Sequence, residues 1–193
     1  RRETAVDPKM NVWNYTSGWI DTSKSFAQRY GRFEANVSLP SGRASGIWPA
    51  FWLLPAPSAK QCWPSGGEID VFEFIGNEIV DSVFASYHWG KPGECGKDKA
   101  PIPGKAHRGS GEEDWQTEFH VYAVEWTEDR LDFFLDDELY FSRSSADVLL
   151  PTAPMYLILN QAVSSYLFPP SPTHGNYPAT MSVDYIRVFQ LKK

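Results

Sequence analysis

Apolar and polar residues alternate along much of the chain, with the period of two that is typical of half-buried strands. The clearest case is residues 31–39, where Phe33, Ala35, Val37 and Leu39 alternate with polar neighbours. Clusters of Gly, Pro, Asn, Asp and Ser separate such segments, and a short helix is indicated only at residues 144–150. The pattern predicts an all-β sandwich or barrel in one domain, residues 1–193. The other predicted strands span residues 47–54, 68–75, 82–89, 117–126, 131–141 (a hairpin), 155–163 and 181–190.

Some segments interrupt this pattern. Pro49 lies inside the apolar segment 47–54, and because proline cannot donate a ladder hydrogen bond we expect an irregular strand there. Residues 91–114 and 163–177 are polar or proline-rich and are too long for ordinary turns. Long loops in compact domains are commonly functional, so both segments are predicted to wall a cleft.

Composition and charge argue against several classes of partner. The 193 residues carry 18 basic and 24 acidic side chains, a net charge of −6, whereas a nucleic-acid-binding surface is basic. No apolar run approaches the ~18 residues of a membrane-spanning helix. We therefore expect no nucleic-acid or membrane partner, and we expect a monomer. The negative charge also disfavours a heavily sulfated polysaccharide, which the chain would repel.

One strand-like segment carries an unusual density of acids. Glu68, Asp70 and Glu73 lie within six residues of an otherwise apolar stretch, and buried charges are costly unless they are paired or used. Cleavage of a glycosidic bond uses two carboxyl groups, one to protonate the leaving oxygen and one on the other side of the sugar. The pattern favours a glycosidase site over the alternative of a solvated edge strand, because tryptophans with flat apolar faces surround the segment. These tryptophans are Trp48, Trp52, Trp63 and Trp89.

The spacing of the acids has a structural consequence. Side chains of a regular strand alternate between its two faces, so Glu68 and Asp70 share a face, while Glu73, five residues from Glu68, would point away. Both glutamates can face one cleft only if the strand contains an extra residue, most simply a β-bulge near Val71 and Phe72. A catalytic interpretation therefore requires the bulge.

The acidic segment resembles the catalytic strand of family 16 glycoside hydrolases, in the bulged Glu-x-Asp-x-x-Glu form of laminarinase-like endo-β-1,3-glucanases. The segment Trp48-Pro49-Ala50-Phe51-Trp52 is similar to the family's Trp-Pro-Ala-Phe-Trp signature. Residues 161–168 depart from the family's usual pattern, and Phe168 is a candidate replacement for the tryptophan that this stretch lacks. The resemblance covers almost the whole chain, with further similar segments at residues 15–18, 30–35, 39–42, 119–126, 157–160 and 183–188.

This resemblance implies a jelly-roll β-sandwich of two curved antiparallel sheets, with a polysaccharide bound in a concave cleft. It implies retaining double displacement on internal β-1,3-glucosidic bonds, with Glu68 as nucleophile, Glu73 as acid and base, and Asp70 tuning both. No cofactor is required for this reaction. Relatives bind a structural calcium, and Asp184 matches one of its ligands, so Asp184 is a candidate calcium ligand. Substrate contacts are predicted for Trp48, Trp52, Trp63, His88, Trp89 and Asn160.

The two cysteines lie at the predicted rim of the cleft. Cys62 precedes the acidic strand, and Cys95 follows Trp89 in the loop beyond the neighbouring strand. A disulfide between them would tie two active-site loops together and would imply secretion into an oxidising compartment. The alternative is two free thiols.

Other functions stay open at this point. Within the family they are a β-1,3-1,4-glucanase, a galactanase and a transglycosylase. Outside it they are a non-catalytic carbohydrate-binding jelly roll, which does not need all three acids, and a metal site on the carboxylates, which lacks the loop geometry of calcium sites.

Overall fold

The computed structural model describes residues 2–7, 9–10, 12–41, 46–76, 82–99, 104–107, 115–163 and 177–190. Within these residues the chain forms thirteen strands and two 3-10 helical turns, at Pro57–Ala59 and Trp115–Thr117. The strands are β1 (Arg2–Val6), β2 (Val12–Tyr15), β3 (Trp19–Asp21), β4 (Gly31–Ser38), β5 (Ile47–Pro55), β6 (Glu68–Glu73), β7 (Ser82–His88), β8 (Gly104–His107), β9 (His120–Trp126), β10 (Arg130–Leu135), β11 (Glu138–Ser144), β12 (Met155–Val163) and β13 (Ser182–Phe189).

The strands of the described residues form three sheets, and neighbouring strands pair antiparallel. A five-stranded sheet, here called the outer sheet, has the order β11-β10-β9-β4-β13. A six-stranded sheet, here called the cleft sheet, has the order β3-β12-β5-β6-β7-β8 and carries the acidic strand. Strands β1 and β2 form a separate two-stranded sheet. The predicted all-β architecture of antiparallel sheets is confirmed.

The hydrophobic core lies between the outer sheet and the cleft sheet. The alternation in β4 has its expected effect, because Phe33, Ala35 and Val37 are all completely buried. Across the interface, Phe72 of the cleft sheet packs on Tyr122 of the outer sheet with ring centroids 4.4 Å apart. Burial of each large apolar side chain contributes about 1.5–3 kcal/mol to the stability of the fold. The sheet that carries the acids is therefore firmly packed on the outer sheet.

Strand β5 runs against β12 without a register shift through Pro49. Its register shift against β6 lies between Phe51 and Trp52, where the extra residue belongs to β6, so the irregularity expected from Pro49 is wrong. The Pro49 carbonyl accepts a hydrogen bond from the backbone N–H of Phe74, one residue beyond the end of β6. The nitrogen and the carbonyl of a strand residue face the same neighbour. The Pro49 nitrogen therefore points past the end of β6, where proline does not interrupt the ladder.

Two other expectations are also wrong. Residues 144–150 form a turn instead of a helix, since β11 runs to Ser144 and the backbone N–H groups of Asp147 and Val148 donate to the Ser144 carbonyl. The segment 91–114 is not a continuous loop, because β8 pairs with β7 at the edge of the cleft sheet. Most of the wall predicted at residues 163–177 lies outside the described residues. No helix in the described part of the chain has the length and apolar character needed to cross a membrane.

Candidate active site

The acidic strand β6 contains the predicted bulge. Between Asp70 and Glu73 it takes three residue steps where its partner β7 takes two. Val71 and Phe72 are consecutive and both completely buried, whereas consecutive side chains of a regular strand lie on opposite faces. The bulge prediction is confirmed, and the bulge turns Glu73 to the face that carries Glu68 and Asp70.

Two contacts fix the backbone around the acids. The Tyr140 hydroxyl, on β11 of the outer sheet, donates to the Val71 carbonyl in the bulge at 3.3 Å. Gly67, immediately before β6, has a φ of 83°, a left-handed conformation that favours glycine. A Cβ at this position would lie 3.1 Å from Pro151 Cβ and 3.2 Å from the Tyr87 hydroxyl. The start of the acidic strand is therefore tightly packed as well as conformationally restricted.

The acids open into a cleft of about 230 Å³ on the free face of the cleft sheet. The residues that line the cleft come from β6, β5 and β12. Their side chains lie on one face of the sheet, because residues that pair directly across an antiparallel sheet share a face. Trp52 Nε1 donates to Asn160 Oδ1 at 2.7 Å, which fixes the indole and the amide relative to each other. The structure thus brings together six of the residues that the sequence singled out. The lining residues are Trp48, Ala50, Trp52, Glu68, Asp70, Glu73, Asn160 and Ala162.

Glu73 lies between two neutral hydrogen-bond donors. Trp48 Nε1 donates to its Oε1 and Ser86 Oγ donates to its Oε2, each at 3.1 Å. Burial raises the pKa of Glu73 above its ordinary value of 4.5, while the Ser86 bond, the charge of His88 and the Trp48 bond oppose the rise. Glu73 therefore stays protonated to a higher pH than a free glutamate, as its predicted role as an acid requires.

Glu68 lies at the opposite end of the trio. Trp63 Nε1 donates to its Oε2 at 3.1 Å. Burial, reinforced by the charge of Asp70, raises the pKa of Glu68 to about 7, and the charge of His88 and the Trp63 bond oppose this rise. Because burial raises the pKa of both glutamates, these shifts alone do not distinguish a nucleophile from an acid.

His88 lies between two carboxylates. Its Nδ1 is 2.6 Å from Asp98 Oδ2, and its Nε2 is 3.3 Å from Oδ2 of the buried Asp70. The contact with Asp70 is the largest cause that raises the pKa of His88 to about 10. Burial in turn raises the pKa of Asp70 to about 7, against the effect of His88. A neutral Asp70 would hold the imidazolium less firmly, whereas the hydrogen bond to Asp98 at the other ring nitrogen also raises the pKa of His88.

The potential metal ligands of the site form a charge network. One atom from each of Glu68, Asp70 and His88 lies within 4.8 Å of the others. Both ring nitrogens of His88 face carboxylates, and a protonated imidazole has no lone pair to offer a metal. Asp184, the candidate calcium ligand, is exposed on β13 and accepts a hydrogen bond from Asn36 Nδ2 at 3.2 Å. Among the described residues, Asp184 belongs to no group of three His, Cys, Asp or Glu side chains close enough to hold a metal ion, so calcium at Asp184 stays a prediction.

The remaining predicted residues surround the cleft. Trp63 is 46% exposed at the rim, with its ring centroid 6.0 Å from that of His88. Trp89 packs against the hydrophobic core, and its contact with substrate stays a prediction. Cys62 and Cys95 form the predicted disulfide, which ties the loop before β6 to the loop after β7. Phe168 lies outside the described residues.

Two residues that were not predicted from the sequence contact the predicted site residues on β6 and β7. Ser86, the donor to Glu73, lies two residues before His88 on β7, so strand alternation from His88 was a signal that could have found it. Asp98, the partner of His88, lies in an irregular loop ten residues further along the chain. No periodic pattern reaches that loop.

Trp19 on β3 is a third residue that sequence analysis missed. It pairs with Asn160 across β3 and β12, so its side chain belongs to the cleft face of the sheet. Its ring stands edge-on to Trp52 with centroids 5.4 Å apart, and 52% of the residue is exposed. Trp19 therefore extends the aromatic surface of the cleft by one strand, to the edge of the sheet.

The sequence profile described as "Glycosyl hydrolases family 16" matches residues 3–187. The chain belongs to this family. It is 34% identical over 187 residues to Glucan endo-1,3-beta-glucosidase A1 of Niallia circulans. This alignment covers 91% of this chain and 26% of that protein. It is 34% identical over 189 residues to Beta-glucanase of Rhodothermus marinus, covering 91% of this chain and 63% of that protein. The chain thus spans less than two thirds of the length of either relative.

A solved structure shows the same fold. The catalytic domain of an endo-1,3-beta-glucanase (laminarinase) from Thermotoga petrophila RKU-1 is similar with a TM-score of 0.86 at 32% identity, over 100% of this chain and 76% of that chain. Together with the strand order, this similarity confirms the predicted jelly-roll sandwich.

Proposed function

We propose that the chain is the catalytic part of a retaining, endo-acting β-1,3-glucanase that hydrolyses laminarin-type β-glucans by double displacement. One observation carries the proposal: the bulge in β6 turns Glu73 onto the cleft face of Glu68 and Asp70, beside Trp48 and Trp52. A glycosidase needs two carboxyl groups in one cleft, and flat aromatic faces give sugar rings a surface to stack on. Membership of a glycosyl hydrolase family supports the same class of reaction.

In the first step Glu68 attacks the anomeric carbon, and Glu73 protonates the glycosidic oxygen as the bond between that oxygen and the carbon breaks. A covalent glycosyl ester of Glu68 forms, and the other part of the glucan chain leaves. The Trp63 indole N–H and the charge of His88 both stabilise the ionised form of Glu68 before attack. The resemblance to the family, and not the pKa shifts, assigns the attack to Glu68.

In the second step water attacks the same carbon, Glu73 takes the proton from that water, and Glu68 leaves as a carboxylate. Glu73 begins this step ionised, and the donors Trp48 Nε1 and Ser86 Oγ stabilise that form. Two displacements at one carbon return it to the β configuration.

Four observations support a β-1,3-glucan as substrate. Glu68 and Glu73 have the five-residue spacing that resembles laminarinase-like members of the family. The relatives named above are described as a glucan endo-1,3-β-glucosidase, a β-glucanase and a laminarinase. The net charge of −6 suits a neutral glucan better than a sulfated galactan. The cleft crosses three strands on an open sheet face, which suits attack within a polymer.

A non-catalytic carbohydrate-binding protein is the alternative from a different class. Such a protein would use the aromatic surfaces, but it has no need of three clustered carboxyl groups whose pKa values are raised by burial. The mixed-linkage glucanase, galactanase and transglycosylase alternatives share the chemistry of this site. They differ in the sugar or acceptor that enters it, so the choice of assay substrates separates them.

We extend the proposal to the setting of the protein, which we expect to be an exported monomer that uses no cofactor in the reaction. The Cys62–Cys95 disulfide supports export, because disulfides persist in oxidising compartments. Carboxyl groups perform both proton transfer and nucleophilic attack, so bond cleavage needs no metal ion.

The substrate proposal is tested by incubation with laminarin, mixed-linkage β-glucan, agarose and carrageenan, with sizing of the released oligosaccharides over time. We expect laminarin to release mixed oligosaccharides first and mixed-linkage glucan to react more slowly. Activity on agarose or carrageenan alone would reject the substrate, and glucose as the sole first product would reject internal attack. Proton NMR of the earliest product should show the β anomer; an initial α anomer would reject retention.

The roles of the two glutamates are tested by substitution. Glu68→Ser and Glu73→Gln should each lower kcat on laminarin below about a hundredth of the wild-type value, because each removes a bond-making group. Both variants should still bind laminarin. Glu128→Gln, exposed in the turn after β9, is the matched control and should keep the wild-type rate. A wild-type chain that binds laminarin and never cleaves it would favour the non-catalytic alternative.

A further inference from the structure

Two loops meet beside the acidic strand, and the disulfide joins them. The first contains Cys62 and Trp63 before β6, and the second contains Cys95 and Asp98 after β7. The backbone N–H of Gly96 also donates to the Trp63 carbonyl at 2.8 Å. The two loops are therefore linked by a covalent bond and by a hydrogen bond one residue away from it.

Each loop sends one polar side chain to the site. Trp63 Nε1 reaches Glu68 directly, at 3.1 Å. Asp98 instead reaches the imidazole of His88, with 2.6 Å between Oδ2 and Nδ1. The second loop is closed at its far end by the backbone N–H of Lys99, which donates to the Trp89 carbonyl at 2.9 Å. Asp98 is thus held between two backbone anchors.

The two contacts of the His88 ring are unequal. The Nδ1 contact with Asp98 is short, at 2.6 Å, whereas the Nε2 contact with Asp70 is 3.3 Å long. A short charge-assisted hydrogen bond sets the plane of a ring more firmly than a long contact does. The orientation of Nε2 towards Asp70 therefore depends on the partner at Nδ1.

We propose that Asp98 is a positioning residue for the reaction, because its carboxylate holds the His88 ring so that Nε2 faces Asp70 and the ring stays beside Glu68. The disulfide-linked loops keep Asp98 in place. This inference rests on the proposed function, since it assigns Asp98 a role in that same site.

The charges around His88 explain why its position matters. The groups that face the ring are Asp70 on β6, Asp98 on the second loop and Glu68 on β6, and the ring of Trp63 lies beside it. His88 is the cation that opposes the burial-driven rise in the pKa of Glu68 and Asp70. Asp98 also has smaller, direct effects that raise the pKa of Glu68 and of Asp70, opposite in direction to the effect of the ring that it holds.

The first test compares Asp98→Ala with Asp98→Asn. The asparagine amide oxygen could still accept a hydrogen bond from Nδ1–H of the ring, whereas an alanine side chain could not. Loss of the outer hydrogen-bond partner of a metal-bound histidine typically lowers activity by about 10–100-fold, and we use the same range for loss of the hydrogen bond to the His88 ring. We expect a loss of that order in kcat for Asp98→Ala, with KM changed by less than about twofold, and near wild-type kcat for Asp98→Asn. Lys97→Ala, exposed in the same loop, is the control and should be silent.

A double-mutant cycle separates action through His88 from a general effect on folding. If Asp98 acts through the ring, Asp98→Ala should cause no further loss of kcat in a His88→Ala background. An equal loss in both backgrounds would overturn the inference, and so would an Asp98→Asn variant as slow as Asp98→Ala.

NMR titration of the His88 imidazole supplies a readout that needs no substrate. The wild-type ring should stay charged up to a pKa near 10, and Asp98→Ala should lower that pKa, because a carboxylate partner favours the charged ring. An unchanged pKa would overturn the inference. If the wild-type chain cleaves none of the glucans, the proposed function fails, and the titration alone then decides whether Asp98 controls His88.

Discussion

Glu68→Gln is expected to stabilise the fold at alkaline pH while it abolishes activity. Glu68 is largely buried beside Asp70, so its pKa rises from 4.5 to about 7. A carboxyl group with a raised pKa in the folded state holds its proton more tightly there than in the unfolded state. Its ionisation therefore opposes folding above the folded pKa and has no effect below the unfolded one. Glutamine has no charge to desolvate, and its amide oxygen can still accept the Trp63 N–H.

The size of the effect follows from the two pKa values. At about 1.4 kcal/mol per pH unit, the difference between 4.5 and about 7 corresponds to about 3–4 kcal/mol. The free energy of unfolding of the variant should exceed that of the wild type by up to this amount at about pH 8. Between the two pKa values the advantage should shrink as the pH falls, and it should be close to zero at about pH 4.

Urea unfolding at about pH 4 and about pH 8, followed by tryptophan fluorescence, measures both free energies. Glu128→Gln replaces an exposed carboxyl group by the same chemistry and serves as the matched control, with little change expected at either pH. A stability gain for Glu68→Gln that is equal at both pH values would refute the linkage argument. A variant that is less stable than the wild type at about pH 8 would refute the assignment of a burial cost to Glu68.

Three further predictions follow from the site. The acidic limb of the pH profile of kcat/KM on laminarin should lie near pH 7, where Glu68 ionises. His88→Gln should move that limb to higher pH, because the charge of His88 lowers the pKa of Glu68. An acidic limb that stays in place in the variant would contradict this. Trp19→Ala should raise KM for long laminarin about fivefold, as loss of an aromatic contact of about 1 kcal/mol implies, and should leave KM for short oligosaccharides unchanged. Ile20→Ala, on the other face of β3, is the control and should change neither KM. Treatment with EDTA should leave the hydrolysis rate of the folded chain unchanged, since both steps use carboxyl groups. A rate that is lost while tryptophan fluorescence still shows a folded chain would reject the metal-free mechanism, whereas a loss accompanied by unfolding would indicate the structural calcium instead.

Local spacing predicted the most specific structural feature of the site. The two-residue interval between Glu68 and Asp70 and the five-residue interval from Glu68 to Glu73 are properties of one short segment, and strand geometry converts them directly into a bulge. The observed pairing contains this bulge, with Val71 and Phe72 both buried. Alternation likewise predicted the buried face of β4, because alternate residues of a strand lie on opposite faces of the sheet and the apolar ones face the core.

Features that depend on a neighbouring element were predicted poorly. The error at Pro49 arose because the sequence does not say which neighbour its nitrogen faces, nor that β6 ends at Glu73. Strand β8 was missed because an edge strand in a polar segment forms by pairing with β7 and carries no apolar alternation of its own. Asp98 was missed for a similar reason, since only the disulfide and the loop anchors bring it to His88.

The position of His88 affects the ionisation of both glutamates, whose division of roles is assigned by family resemblance. Retaining hydrolysis needs Glu68 ionised and Glu73 protonated at the same time, yet burial raises the pKa of both. Three clustered carboxyl groups disfavour full ionisation, so the trio tends to keep a proton near neutral pH. His88 pairs directly with Glu68 across β6 and β7, and its long contact with Asp70 favours the ionised form there as well. A cation fixed at that end of the trio favours negative charge at Glu68, but its charge and the two neutral donors also lower the pKa of Glu73, so His88 alone does not decide which glutamate keeps the proton. The stabilisation of ionised Glu68 by His88 persists only while the ring is held in place.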